Sequence, residues 1–143
     1  MVNFNLTPDD KKKIVAAIRE AESHTSGEIR VHVKSRCRGD VLAEAKKIFN
    51  QFQMHRTKHR NAVLIYVAPD SRQFAVLGDG GIHRRVGDDF WKGTRDQMSR
   101  FFSKGDFVGG IVEGVQSAGE KLKAHFPRGA ANPDELPDAV TEG

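Results

Sequence analysis

The chain has 143 residues, of which 38% are hydrophobic and 29% are charged, and its formal net charge is +4. This length fits one domain and leaves no room for a second sizeable one. No apolar stretch approaches the roughly 20 residues that span a bilayer, and the N-terminus lacks the pattern of an export signal. We therefore expect a soluble, cytoplasmic domain without a transmembrane segment. The single cysteine, Cys37, excludes an internal disulfide.

Charge is unevenly distributed along the chain. Residues 30–60 carry nine bases against two acids, whereas residues 128–143 carry one base against four acids. A basic surface of this kind can attract an acidic protein or an anionic membrane surface, and the alternative is a merely solvated helix face. A nucleic-acid partner is the weakest of the options for this surface, because aromatic residues that could stack on single strands are not interleaved with the bases. We define the basic face by seven candidate binding residues: Arg36, Arg38, Lys46, Lys47, Arg56, Lys58 and Arg60.

The N-terminal part of the chain predicts a helix followed by a strand. Thr7-Pro8-Asp9-Asp10 has the form of a helix start, with a capping Thr, a Pro at the first helical position and acids near the positive helix end. Residues 28–34 then alternate strictly between apolar and polar side chains. This alternation predicts a half-exposed strand with Ile29, Val31 and Val33 on its buried face.

The middle of the chain predicts a helix and two strands. Apolar residues at helical spacing favour a second helix over about residues 40–55. Residues 62–68 are continuously apolar, which is typical of a strand covered on both faces. A turn at residues 69–72 returns the chain as a third strand over residues 73–77.

The C-terminal half predicts two more helices and a tail. A glycine-rich loop at residues 78–81 precedes a third helix over about residues 88–103 and a fourth over about residues 106–125. From residue 127 onward, prolines, small residues and acids replace the periodic pattern. We therefore expect a single domain over residues 1–127 and a flexible, acidic, proline-containing tail over residues 128–143.

The order of these elements constrains the sheet. The first two predicted strands are joined through a helix and should run parallel with a right-handed crossover. The second and third are joined by a tight turn and should form an antiparallel hairpin. The sequence thus predicts an α/β fold with a mixed sheet and about four helices.

This topology gathers polar residues at one edge of the sheet. The starts of the first two strands, at Glu28 and Asn61, should meet the glycine-rich loop there, close to the start of the third helix. Carboxylates with glycine carbonyls suit a hard cation, and Ca²⁺ takes six to eight oxygens in forgiving geometry. We expect Ca²⁺ at this edge, with Mg²⁺ as the second choice. The candidate metal ligands are Glu28, Asp79, Gly80, Asp88 and Asp89.

The same carboxylates also have structural interpretations. Glu28 can pair with a neighbouring base, Asp79 can serve as a turn residue, and Asp88 is a natural helix cap. If a cation is bound, it could polarise a phosphoryl oxygen, with Arg84 or Arg85 adding positive charge. The sequence names no nucleophile with an activating base, so catalysis stays open. It also lacks a dinucleotide fingerprint, a Walker lysine and an EF-hand loop.

Several segments together resemble the TPM domain family, which is named after a thylakoid lumen protein, a photosystem II repair protein and a receptor accessory protein. The resemblance runs in order from about Leu6 to Pro127. It rests on Ser26-Gly27-Glu28-Ile29-Arg30-Val31, residues 60–68, residues 74–82, Phe90-Trp91 and residues 104–111.

The resemblance implies a three-layer α/β/α sandwich with a Rossmann-like sheet. It also implies calcium binding, a phosphatase activity, or a role as an assembly factor, since family members are described in these ways. Many members carry a signal peptide and a membrane anchor, which are not expected here, so the chain is similar to the stand-alone bacterial branch. Two functions follow as expectations: a divalent-cation site with a metal-assisted phosphatase activity, or a non-catalytic module that docks through the basic face. The oligomeric state stays open.

Overall fold

The computed structural model describes residues 5–128 and 140–142. These residues form five α-helices and four strands. The helices are α1 (Pro8–Glu22), α2 (Val41–Gln51), α3 (Gly80–Val86), α4 (Lys92–Ser103) and α5 (Phe107–His125). The strands are β1 (Glu28–Val33), β2 (Ala62–Ala68), β3 (Gln73–Gly78) and β4 (Val140–Glu142). Short 3₁₀ turns occupy Met54–Arg56, Pro69–Ser71 and Asp88–Trp91.

The first helix begins where the sequence predicts. The hydroxyl of Thr7 accepts a hydrogen bond from the backbone N–H of Asp10 at 3.1 Å, and the Asp10 carboxylate accepts one from the Thr7 N–H at 3.0 Å. This reciprocal capping box satisfies two backbone donors that have no partner inside the helix.

The sheet has the strand order β3-β2-β1-β4. The first strand pairs with β2 in parallel, in a register that joins Glu28 to Ala62, and β2 pairs with β3 in antiparallel. The predicted parallel pairing of the first two strands and the antiparallel hairpin are therefore confirmed. One face of the sheet packs against α1 and α5 around Ile29 and Ile65, and the other packs against α2 around Leu64. Helices thus cover both faces, as the three-layer α/β/α prediction requires.

Burial of β1 differs from the prediction. All six of its residues are buried, including Arg30 and His32, so the expectation of a half-exposed strand is wrong. Phe52, which follows α2, covers these two polar side chains. The guanidinium of Arg30 lies 3.8 Å from the centre of the Phe52 ring, and the His32 ring lies 5.5 Å from it. Burial lowers the pKa of Arg30.

The glycine-rich loop predicted at residues 78–81 is instead divided among the end of β3, the cap residue Asp79 and the start of α3. Asp79 caps it, and the backbone amide of Gly81 donates to the carbonyl of Arg60 on the neighbouring segment at 2.8 Å. These contacts outweigh the low helix propensity of adjacent glycines. Gly87, with φ of 79°, ends the helix, and the predicted third helix divides into a 3₁₀ turn and α4. The described residues therefore contain five helices rather than about four.

The sequence predicts no strand after Pro127, yet β4 pairs in parallel with the outer edge of β1. The Thr141 hydroxyl lies 2.8 Å from Nδ1 of His32, and Lys11 forms an ion pair with Glu142 at 2.6 Å. The flexible tail predicted for residues 128–143 falls mainly on residues 129–139 and 143, which lie outside the described residues. None of the helices in the described ranges is long and apolar enough to cross a membrane.

Candidate functional site

The structure brings together the segments that topology predicts at one sheet edge. The side-chain amide of Asn61 donates to the hydroxyl of Ser26 at 3.0 Å, joining the start of β2 to the start of β1. The backbone amide of Asp79 donates to the carbonyl of Ala62 at 2.9 Å. The start of α3 is therefore fixed directly against the start of β2.

Two glycines permit this close approach. A Cβ atom at Gly81 would collide with the backbone carbonyls of His59 and Arg60, which cannot yield easily. A Cβ atom at Gly27 would lie 2.8 Å from the side chain of Leu122. Glycine at these positions therefore lets three backbone segments meet without a steric penalty.

Asp79 lies at the centre of this edge, and both of its carboxylate oxygens are engaged. Arg60 donates from Nε to Oδ2 at 2.8 Å and from Nη2 to Oδ1 at 2.9 Å, and the amide of Gly80 donates to Oδ1 at 2.7 Å. Asp79 is buried, whereas the Arg60 side chain is half exposed. The hydrogen bonds and charge of Asp79 raise the pKa of Arg60. Arg60 adopts φ of 53°, an uncommon conformation for a residue other than glycine.

The predicted cation ligands do not come together in the described residues. Glu28 is buried at the first position of β1, and the β2 strand separates it from Asp79, so their backbones lie about 10 Å apart. Asp89 is exposed on a 3₁₀ turn, and Asp88 begins that turn, although its side chain is not described. The carbonyl of Gly80 belongs to a helix rather than to an open loop.

No group of three or more His, Cys, Asp or Glu side chains that could hold a metal ion occurs within residues 5–128 and 140–142. A hard cation requires several convergent oxygens, and the oxygens of Asp79 already accept hydrogen bonds from Arg60 and Gly80. A divalent cation at Asp79 would therefore have to compete with these two donors for the carboxylate oxygens.

A cleft of about 580 Å³ opens at this same edge. We name it the edge cleft, and it is lined by Ser26, His59, Gly81, Arg84, Arg85, His125, Phe126 and Pro127. Its described lining thus holds four basic side chains and no carboxylate. Arg84 and Arg85 are expected from the sequence as sources of positive charge, whereas His59 and His125 are not.

Local packing positions the edge-cleft side chains. Arg85 donates from Nη1 to the backbone carbonyl of His125 at 2.5 Å, and its guanidinium lies 4.8 Å from the centre of the Phe126 ring. The amide of Ser26 donates to the Phe126 carbonyl at 2.9 Å. The end of α5 therefore forms one wall of the cleft, a long-range contact that no local sequence signal predicts.

All seven residues of the basic face are exposed. Arg36 and Arg38 precede α2, Lys46 and Lys47 lie on it, and the other three follow it. Arg60 also pairs with Asp79 and so contributes less free charge. On the same helix, Leu42 is 42% exposed and is a large apolar side chain that the described fold leaves in solvent.

A model of the TPM domain matches residues 5–121 of the chain. The chain belongs to the TPM domain family. The NMR structure of the BA42 protein from the psychrophilic bacterium Bizionia argentinensis is 42% identical, has a TM-score of 0.92 and covers 100% of this chain and 99% of that one. The N-terminal domain of the cg2496 protein from Corynebacterium glutamicum is 17% identical with a TM-score of 0.69, covering 92% and 82% of the two chains. The latter likeness supports the fold alone.

No curated protein matches this TPM domain. The family resemblance that the sequence indicates is confirmed over nearly the same residues. The edge cleft and the basic face both lie within the matched range, apart from the wall of the edge cleft that residues 125–127 provide.

Proposed function

We propose that this TPM domain binds a phosphate-bearing anion in the edge cleft. The observation that carries the proposal is the composition of the described lining, which combines Arg84, Arg85, His59 and His125 with no acidic side chain. A guanidinium group can donate two parallel hydrogen bonds to phosphate oxygens, and this geometry makes arginine a preferred ligand for phosphate.

The ion pair at the edge supports this role by holding α3 in place. Asp79 neutralises Arg60, so neither side chain adds much net charge to the cleft, but together they fix the start of α3 against β2. Arg84 and Arg85 lie on this short helix. The pair is therefore expected to position the two arginines that contact the anion.

Titration of the ¹⁵N-labelled protein with inorganic phosphate tests the proposal. We expect saturable amide shifts at Gly81, Arg84 and Arg85, and we expect the double variant R84Q/R85Q to lose them. The matched control is K46Q/K47Q, which removes the same charge from the exposed face of α2. If both double variants weaken binding equally, phosphate responds only to net charge and the proposal fails.

Metal-assisted hydrolysis of a phosphomonoester stays a further prediction about the same cleft. The described side chains support binding of the anion only, so hydrolysis needs a separate measurement of turnover. Turnover of p-nitrophenyl phosphate with and without added Ca²⁺ provides that measurement. Turnover that R84Q/R85Q abolishes would extend the proposal from binding to catalysis.

A second candidate function is docking through the basic face to an acidic protein or an anionic membrane surface. Exposure of Leu42 beside Lys46, one helical turn away, favours it, because apolar contact can then add to charge attraction. Vesicles containing anionic lipid should sediment with the protein at low salt, and charge reversal in K46E/K47E should release it. Binding that is indifferent to salt and to these substitutions would contradict the docking function.

A further inference from the structure

The edge cleft is larger than a phosphate group needs. Its volume is about 580 Å³, which falls within the range of about 300–1,000 Å³ for pockets that hold whole organic ligands. An inorganic phosphate ion fills only a small part of this space. An organic group attached to the phosphate therefore has room inside the cleft, and the chemistry of the walls indicates which kind of group fits.

Arg84 is placed to bind the phosphate end of such a ligand. Its Nη1 atom lies 3.3 Å from the position that a Cβ atom of Gly80 would take, and Nη2 of Arg60 lies 3.7 Å from the same position. Asp79 neutralises Arg60, whereas Arg84 has no ion-pair partner among the described residues. The guanidinium of Arg84 therefore lies over the start of α3 with donors available for phosphate oxygens.

The wall that follows α5 is built from flat side chains. It consists of His125, Phe126 and Pro127. The His125 ring meets Phe90 edge to face with centres 5.3 Å apart, and the guanidinium of Arg85 lies 4.8 Å from the centre of the Phe126 ring. Both rings of the wall are only half-buried, so each keeps surface that faces the cleft. These contacts hold the wall in one arrangement before a ligand enters.

This wall favours a planar aromatic group over other organic groups. Aromatic rings attract one another beyond the apolar area that they bury, and guanidinium groups stack on ring faces. An aliphatic group gains from the burial of its surface alone. A cationic group would be repelled by the two arginines of the lining. An aromatic ring therefore gains the most from contact with His125, Phe126 and the guanidinium of Arg85.

We propose that the edge cleft prefers phosphomonoesters whose organic group is a planar aromatic ring. The phosphate lies against Arg84, and the ring lies against Phe126 and His125. This inference rests on the proposed anion binding and names the class of ligand that the same cleft selects. The separation of basic side chains on α3 from flat rings after α5 is the observation that carries it.

Three probes separate the ring from the phosphate and from apolar bulk. The ¹⁵N-labelled protein is titrated with inorganic phosphate, cyclohexyl phosphate and phenyl phosphate at a pH where all three are dianions. We expect phenyl phosphate to bind about fivefold more tightly than cyclohexyl phosphate, a ratio within the range that one aromatic contact provides. Amide shifts with phenyl phosphate should extend from Gly81 and Arg84 to His125 and Phe126.

Two matched variants test the contact with Phe126. F126L removes the ring but keeps an apolar side chain, so the preference for phenyl over cyclohexyl phosphate should be largely lost. F107L changes another half-buried phenylalanine, at the opposite end of α5, and should retain the full preference. The measured quantity is the ratio of the two dissociation constants, because Arg85 contacts Phe126 and the affinity for phosphate itself can change in F126L.

The outcomes distinguish this inference from the proposed function on which it rests. Equal affinity for the two esters, or an unchanged preference in F126L, overturns the inference and leaves anion binding standing. The absence of saturable shifts with all three probes overturns both. If F126L does not fold, the comparison of the probes on the unaltered protein still decides, because it needs no variant.

Discussion

Arg60 and Asp79 form a two-pronged ion pair, with contacts of 2.8 and 2.9 Å, that joins the segment before β2 to the cap of α3. The carboxylate is buried and the guanidinium is half exposed. The same aspartate also caps the helix through the amide of Gly80. A single side chain thus has two separable structural roles, and two substitutions distinguish them.

Asp79→Asn should retain a cap oxygen but lose the ion pair, whereas Asp79→Ala should lose both. We therefore expect Asp79→Ala to lower the free energy of unfolding by about 1 kcal/mol more than Asp79→Asn, the usual cost of removing a helix cap. Urea unfolding of the three proteins measures the difference. Equal stability of the two variants would mean that the cap contributes nothing here.

Substitution of Gly81 should also destabilise the same edge of the sheet. Gly81→Ala places a methyl group against the carbonyls of His59 and Arg60, so α3 must move away from β2. Overpacking against backbone typically costs about 1–3 kcal/mol, and we expect unfolding free energy to fall by that amount. Phosphate binding in the edge cleft should weaken together with it.

Gly93→Ala is the matched control for this substitution. Gly93 lies near the start of α4, and a Cβ atom there would meet only the Lys121 amine at 3.9 Å. Alanine in a helix is favoured over glycine by up to about 1 kcal/mol, so this variant should be as stable as the parent or more stable. Loss of stability in both variants would point to a general sensitivity to added methyl groups.

Because His32 is buried, we expect the free energy of unfolding to depend on pH. Burial, followed by the positive charges of Arg30 and Lys34, lowers the pKa of His32 from its ordinary value of 6.5, while Glu44 and Glu142 oppose this less strongly. The folded state thus holds neutral His32 at a pH where the unfolded chain is already protonated. Stability should therefore be unaffected by His32 above about pH 7 and should decrease as the pH falls below 6.5.

The substitution H32N tests this interpretation. It should reduce the loss of unfolding free energy between pH 7.5 and pH 5, although carboxylates will leave some residual dependence. H24Q, which removes an exposed histidine paired with Glu20 at 3.1 Å, is the control and should retain the full dependence. The same pH slope in H32N as in the parent would exclude His32 as its source.

The first three strands and their pairing are predictable from the sequence because their signals are local, whereas β4 is not predicted from it. A continuous apolar run and a tight turn define β2 and β3, and a helix between two strands forces β1 and β2 to run parallel. Even the meeting of Ser26, Asn61 and residues 78–81 at one edge follows from this topology. Each of these inferences can be made without knowing which side chains are in contact.

Side-chain pairing is less predictable because it depends on contacts between residues that lie far apart in the sequence. From the sequence, Arg60 is expected on the basic face and Asp79 as a metal ligand or a turn residue, because a spacing of 19 residues does not reveal an ion pair. Burial of Arg30 and His32 depends on Phe52, which arrives from beyond α2. The wall that His125 adds to the edge cleft depends on how α5 ends, and this is likewise a long-range contact.

Calcium binding stays a prediction, and the hydrogen bonds of Asp79 indicate which groups a bound cation would have to displace. Arg60 and Gly80 donate hydrogen bonds to the oxygens of Asp79, so a cation held there must compete with the guanidinium. Titration with Ca²⁺ should then shift the Nε–H resonance of Arg60 together with the amides of Gly80 and Gly81. Arg60→Gln should strengthen binding, since it removes the competing charge, while Asp79→Ala should abolish it.

Mg²⁺ provides the comparison in the same experiment. It demands near-ideal octahedral geometry and dehydrates reluctantly, so a site that forms only after an arginine moves should favour Ca²⁺. Saturable shifts with Ca²⁺ that survive Asp79→Ala would locate the cation elsewhere. If millimolar Ca²⁺ causes no saturable shift in either the parent protein or Arg60→Gln, Asp79 serves only as a helix cap and ion-pair partner. The edge cleft would then bind anions through its own basic side chains, without a metal ion.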